Sequence, residues 1–346
     1  MNILVTGATG AVGPRVVHVL SAAGYRVRTL SLDQPSKGQW SDDVETRIGD
    51  VTDQLAVQSA MQGMDAVVHM AALLHIVNPP PKMREKYERV NIGGTASVVE
   101  GAIKAGVKRV VLFSTIAVYG PSDSCVLDEL SPTHPDTFYA QTKCAAEKIV
   151  LNARGANGQP LGTVLRLGAV YGSRIKGNYE RLTHALASHR FIPIGNGLNR
   201  RTLVYDKDVG RAAALAVSHP AAAGRVFNVT DGEFHTLNEI IESICSALGR
   251  RSPRLSLPVG PTRTLIGLIE QGSQAFRFKP PIVKATIDKY TEDIAVDGSL
   301  IQKELGFVPQ YDLKTGWEET IREMRGKLGG WEDRRLGRWE VGKMGR

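Results

Sequence analysis

The chain has 346 residues, of which 42% are hydrophobic, 23% charged and 6% aromatic, and it carries a net charge of +8. That balance supplies a sizeable core for one large or two modest domains and excludes a disordered chain, a fibre or a coiled coil. No apolar run approaches the roughly 20 residues of a membrane span. The basic pairs Arg200-Arg201, Arg250-Arg251 and Arg334-Arg335 are dispersed among acids, which points to a small anionic ligand rather than nucleic acid.

The chain starts Met1-Asn2 and passes at once into Ile3-Leu4-Val5, with no basic and apolar leader; a cytoplasmic location is therefore expected. Candidate strands follow at 3–5, 27–31, 45–48, 66–69, 109–114 and 163–167, separated by amphipathic stretches at 15–23, 55–61, 87–105 and 139–152. Such alternation demands crossovers between parallel strands. Apolar runs such as Val110-Val111-Leu112-Phe113 suit a sheet covered on both faces. The expected fold is α/β, a doubly wound parallel sheet over residues 1–170, rejoined by a returning segment near 200–235. Residues 171–328 are expected to form a smaller, mostly helical and interleaved lobe, and 329–346 a flexible tail. Cys125, Cys144 and Cys245 form no C-x-x-C pair, and no H-E-x-x-H occurs. A metal site is not expected, and the eight histidines read as solvated or satisfied groups.

The first strand runs into Thr6-Gly7-Ala8-Thr9-Gly10-Ala11-Val12-Gly13 and then a helix. Glycines at 7, 10 and 13 give a tight turn, a bare backbone for a pyrophosphate and close packing of helix on sheet. The helix N-terminus directs free N–H groups and the positive end of its dipole at the phosphates. This is a Rossmann-type dinucleotide loop in its required context. The expected cofactor is NAD, with NADP left open. Ser31 ends the second strand, Asp33 lies two residues beyond it for a ribose, and Arg28 favours a 2′-phosphate if it reaches one. Asp50-Val51 are candidate adenine neighbours.

Tyr139 and Lys143 stand four apart in a helical stretch and so share a face. An ammonium beside a phenol favours the phenolate and lowers a pKa otherwise near 10, which suits general acid–base chemistry at neutral pH. Thr115, at the end of the 109–114 strand, offers a hydroxyl to the same substrate oxygen.

The chain resembles the extended short-chain dehydrogenase/reductases, in particular nucleotide-sugar epimerases and reductases, over residues 1–325. The resemblance rests on T-G-x-x-G-x-x-G at 6–13, Gly49-Asp50-Val51, His69-Met70-Ala71-Ala72, Val90-Asn91, Ser114-Thr115, Val118-Tyr119-Gly120, Tyr139 with Lys143, Arg166, and Val170-Tyr171-Gly172. It implies Tyr139 as catalytic base, Lys143 as its electrostatic partner and ribose anchor, Thr115 as hydroxyl partner, and Asn91 as a support of the active-site geometry. It implies cofactor contacts from Gly7, Thr9, Gly10, Ala11, Val12, Gly13, Asp33, Asp50, Val51, Met70, Ala71, Ala72 and Asn91. Asn178 and Arg201 fall where such enzymes hold a substrate diphosphate, while Arg200 reads as a solvated neighbour. A homodimer through 87–105 and 139–152 is also implied.

Two departures from the family are informative. Ile116-Ala117 stand where its 4,6-dehydratases carry Asp-Glu, and Ala169 stands where many epimerases carry Asn. The expected activity is an NAD-dependent UDP-hexose 4-epimerase, such as one interconverting UDP-glucose and UDP-galactose. The alternative is an NAD(P)H-dependent reductase of a UDP-4-keto-6-deoxy sugar. A non-catalytic dinucleotide sensor ranks below both, because the Tyr–Lys pair is intact.

Overall fold

A computed structural model describes residues 1–74, 76, 79–122, 125–275 and 283–328. The tail expected at 329–346 lies outside the described residues. Seven strands form the central sheet: β1 (Asn2–Thr6), β2 (Arg26–Ser31), β3 (Glu45–Ile48), β4 (Ala66–His69), β5 (Arg109–Thr115), β7 (Gly162–Leu167) and β11 (Arg225–Val229). They are interrupted in the chain by the short strands β6 (Val126–Leu127), β8 (Ala169–Tyr171), β9 (Arg200–Arg201) and β10 (Leu203–Tyr205). The sheet order is β11-β7-β5-β4-β1-β2-β3, and every pairing in it is parallel. Each expected strand is present within a residue or two, and the 225–229 strand does rejoin the sheet.

Helices α1 (Gly13–Ala22), α2 (Gln54–Met61), α3 (Met83–Tyr87), α4 (Gly94–Lys104) and α5 (Phe138–Asn152) make the crossovers. One layer buries Val16, Val17 and Leu20 of α1 against Ile3, Val5 and Val68 of the sheet. The other buries Val57 and Met61 of α2, Val98 of α4 and Ala146 and Val150 of α5 against Leu4, Val67, Val110 and Leu112. Successive strand residues thus serve opposite cores, the reason these strands read as unbroken apolar runs.

The remaining chain is woven rather than appended. Helix α6 (Asn178–Ala187) belongs to the lobe, whereas α7 (Asp206–Ser218) packs on α1 in the first core. Beyond β12 (His235–Thr236) come α8 (Leu237–Leu248), α9 (Val259–Ala275), α10 (Lys284–Thr291), β13 (Ala295–Val296), α11 (Ser299–Leu305) and α12 (Leu313–Leu328). Ile301 and Leu305 of α11, with Phe307, enter the core of the sheet, a return absent from the expected division at 200–235. The lobe has its own core, in which Ile240, Ile241 and Ile244 of α8 meet Tyr171, Tyr205 and Trp317. The short strands pair as β10–β8, β12–β9 and β13–β6 and stitch the lobe to the loops above the sheet.

Candidate active site

Strand order reverses between β1 and β4, and the crevice at the carboxyl ends of such strands is where doubly wound sheets place ligands. The turn after β1 needs Gly7, which has φ +71°; a Cβ there would come within 2.7 Å of the Ala71 backbone. At Gly13 a Cβ would lie 2.0 Å from the Ala8 carbonyl oxygen, so only glycine lets α1 start this close to the loop. Thr9 N–H donates to buried Ser31 Oγ at 3.3 Å, while Gly10 is exposed and Ala11 and Val12 are partly so. No side chain caps α1, whose first turn carries Pro14. A bare glycine turn leading to an uncapped helix fits the pyrophosphate of a dinucleotide.

Of the other expected cofactor residues, Met70 and Ala71 touch this loop. Met70 N–H donates to the Thr6 carbonyl at 3.2 Å, Ala71 N–H to Thr6 Oγ1 at 3.4 Å, and Ala72 follows, partly exposed. Asp50 Oδ1 accepts from Thr52 N–H at 2.9 Å, and Val51 is packed beneath Gly94. Asp33 is exposed beyond β2. Arg28 is tied to Glu45 at 2.7 Å and to the Ala60 and Gln62 carbonyls at 2.9 and 2.7 Å. The residue that favoured NADP is thereby committed to the end of α2.

Thr115 closes β5, and Tyr139 and Lys143 lie one turn apart near the start of α5, where Thr137 caps the helix. The Thr115 hydroxyl hydrogen-bonds the Tyr139 phenol and also accepts from Ala117 N–H at 3.2 Å. Burial pushes the Tyr139 phenol up to about 12, against the opposing effect of that hydrogen bond. Burial also pushes the Lys143 ammonium down to about 8, opposed by the Glu147 carboxylate. The expected lowering of the tyrosine by Lys143 is therefore not achieved by the polypeptide alone. Desolvation penalises both charged forms and outweighs the Thr115 hydrogen bond at Tyr139 and the Glu147 charge at Lys143.

Two supports surround this pair, and neither Glu147 nor the π-helical turn that carries Asn91 was foreseen. Glu147, one turn beyond Lys143 on the same face, is buried and accepts from Ser114 Oγ at 2.5 Å. It also binds Arg166 through Nη2 at 2.7 Å and Nε at 3.1 and 3.2 Å. The Arg166 guanidinium lies 4.7 Å from the Tyr119 ring, and Tyr119 donates to Asn228 at 2.8 Å. An acid recurring at i+4 from Lys143 was the available signal. The second support is a π-helical turn, Glu88–Gly93, between α3 and α4. Asn91 sits in it, accepting from Leu73 N–H at 2.7 Å and donating to the Leu73 carbonyl and to Thr142 Oγ1 at 3.2 and 3.0 Å. Its side chain thus joins the β4 loop to α5 beside Lys143, a bracing arrangement rather than a free cofactor donor.

His69 is fully buried beneath this site. Thr95 donates its one hydroxyl proton to the Asn91 carbonyl at 2.6 Å, so it accepts from His69 Nε2 at 3.0 Å. His69 Nδ1 then accepts from the Thr6 hydroxyl at 2.7 Å. Burial, with the Lys143 charge, pushes the imidazole down to about 3 and keeps it neutral.

The substrate side departs from expectation. Arg201 donates to the carbonyls of Glu292, Lys289 and Tyr290 at 2.5, 2.7 and 2.8 Å, closing the C-terminal end of α10 rather than offering a free fork to a diphosphate. Arg200 is no solvated neighbour: it holds Asp293 through Nη2 at 2.6 Å and Nε at 3.1 Å. Asn178 is the first residue of α6 and accepts from Arg181 at 2.8 Å. Past the end of α10 a cavity of about 320 Å³ opens between Ile194–Gly197, Asn199, Val259 and Thr291.

A dinucleotide loop and a Tyr–Lys pair on a doubly wound parallel sheet define the extended short-chain dehydrogenase/reductase class. Residues 3–230 match the NAD dependent epimerase/dehydratase family, and the chain belongs to it. It is similar to the N-acetyl-α-D-glucosaminyl-diphospho-ditrans,octacis-undecaprenol 4-epimerase of Escherichia coli O157:H7, at 27% identity over 93% of this chain and 94% of that one. It is also 27% identical to the UDP-glucose 4-epimerase of Vibrio cholerae, again over 93% and 94% of the two chains. The structure of MoeE5 in complex with UDP-glucose and NAD superposes with a TM-score of 0.75 at 25% identity, covering 95% of this chain and all of that one.

Proposed function

We propose that the protein is an NAD-dependent 4-epimerase of a UDP-hexose such as UDP-glucose or UDP-galactose. The observation that carries this reading is the Thr115–Tyr139 hydrogen bond with Lys143 one turn along α5, at the crevice beside the glycine loop. Supporting it are the two relatives named as 4-epimerases and the neighbour bound to UDP-glucose. When bound, NAD supplies the hydride acceptor and a positively charged ring that favours ionisation of Tyr139.

Tyr139 takes the proton of the sugar hydroxyl as that carbinol carbon is oxidised, and returns the proton to the same oxygen when the carbon is reduced again. Thr115 holds that oxygen in line, and Lys143 stabilises the phenolate and anchors the cofactor ribose. The uncapped start of α1 would hold the pyrophosphate, and Asp33, Asp50, Val51 and Met70–Ala72 would contact the rest of the dinucleotide. Asn91 braces the β4 loop against α5. Asn178 borders the substrate path, while Arg201 acts through α10, whose end lines the cavity. Ile116-Ala117 provide no acid–base pair for elimination, which disfavours a dehydratase. A homodimer through the outer faces of α4 and α5 belongs to the same reading and is checked by sedimentation.

The test is proton NMR of the purified protein with UDP-galactose and no added cofactor. UDP-glucose is expected to appear, because the net reaction consumes no NAD. If none forms even with NAD supplied, this activity is excluded, and consumption of NADH with a UDP-4-keto-6-deoxy sugar identifies the reductase instead.

A further inference from the structure

Helix α9 meets α10 along one side: Arg263 pairs with Asp288 at 2.6 Å, both half-exposed, Glu270 accepts from the Lys284 N–H at 3.2 Å, and Val259 and Ile266 on that side are partly buried. The opposite side presents Pro261, Leu265, Leu268 and Ile269, which fall on one stripe at 3.6 residues per turn. Leu265, Leu268 and Ile269 are 59%, 61% and 43% exposed. The strap leading into the helix adds Leu255 at 82% and Leu257 at 43%. Leu257 N–H donates to the Pro193 carbonyl at 2.9 Å, which brings exposed Ile192 alongside. An apolar stripe on the outer face of a surface helix is the reverse of what packing against the protein requires, and it marks a contact with something else.

Charge identifies the occupant. No Asp or Glu occurs between Glu242 and Glu270, while Arg250, Arg251 and Arg254 do; Arg263 is already paired with Asp288 on the other side of α9. Arg251 and Arg254 are exposed and have no acidic partner among the described residues. A second copy meeting this face across a twofold axis would set the patch against itself and bring like charges together. An anionic bilayer matches both properties, accepting the leucines at the acyl boundary and the arginines at its headgroups. No helix among the described residues is long and apolar enough to cross a membrane, so the contact is peripheral.

We infer that the 250–269 segment docks the protein on an anionic lipid surface, with α9 lying in the interface plane. The inference stands apart from the sugar chemistry, since neither Tyr139 nor the glycine loop takes part in it.

Co-sedimentation of the full chain with vesicles tests it. Binding is expected to vesicles of phosphatidylcholine with about one-third phosphatidylglycerol, to be weak on phosphatidylcholine alone, and to fall as salt rises. The triple variant Leu265→Ser, Leu268→Ser, Ile269→Ser should no longer sediment with them. Arg251→Gln with Arg254→Gln should weaken binding by roughly tenfold or more. Both variants should keep the NAD affinity of the unaltered chain, which reports an intact fold. The inference is overturned if the unaltered chain ignores anionic vesicles or the triple variant binds them unchanged. It is equally overturned if binding disappears on removal of 329–346 while the triple variant still binds. A dimer in solution that the triple variant converts to monomer would assign the face to a second copy.

Discussion

Tyr139 and Lys143 are held with their charges disfavoured, the phenol near 12 and the ammonium near 8, and both shifts come first from burial. Tyr139→Phe keeps the ring and removes the proton carrier. Turnover should fall by about 10²–10⁴-fold while NAD affinity, read by fluorescence titration, is retained. Full activity in that variant would remove Tyr139 from the chemistry. Lys143 makes a prediction of opposite sign for stability. Its folded pKa of about 8 lies below the unfolded value of about 10.4, so between them the unfolded chain binds more protons and stability rises with pH. Below pH 8 the buried charge costs a constant amount, up to about 3 kcal/mol. Lys143→Met should therefore be inactive yet more stable than the parent at pH 7, with the gain fading by pH 10. Urea denaturation at the two pH values decides it, and a variant weaker at pH 7 contradicts the burial argument.

At the scale of elements, the site is a meeting of three ends: the start of α1, the end of β5 and the first turns of α5. Their spacing depends on contacts that admit no extra atom. Gly13→Ala would drive a methyl into the Ala8 carbonyl, so α1 must shift away from the loop. Overpacking of this kind costs about 1–3 kcal/mol. A lower melting temperature together with weakened NAD binding is expected, and unchanged NAD affinity would show that the loop tolerates the displacement. The π turn at Glu88–Gly93 belongs to this scale as well. It lets Asn91 reach both Leu73 and Thr142, and the apolar spacing of 87–105, which reads as one continuous helix, gave no sign of it. Periodicity reports which side of a helix is buried, whereas one extra residue in a turn is decided by the partners it meets.

In the whole molecule the two cores share chain. Residues 206–229 and 299–307 leave the lobe to pack on the sheet, and ion pairs join α12 to both α1 and α7. Arg15 meets Asp206 at 3.3 Å and also Glu323, while Lys207 meets Glu319 at 2.6 Å. Neither unit can unfold without exposing the other. Calorimetry should show one cooperative transition, and two separated transitions would mean that the lobe folds independently of the sheet.

The sequence by itself determined the parallel sheet, because alternating β-branched runs and amphipathic helices allow few other arrangements. It likewise determined the glycine loop and the Tyr139–Lys143 pair, since both rest on spacing within a single segment. Only the tertiary structure decided what distant residues do to one another. Arg201 was expected at a substrate diphosphate and Arg200 as its solvated neighbour, but their partners at 289–293 lie about ninety residues away. Glu147 became the anchor of Arg166 only when α5 was laid against β7. Lys143 was expected to charge the tyrosine, and burial instead depressed both charges. Spacing fixes which groups share a helix face, but the solvation of a charge and the identity of its partner depend on every element packed around it.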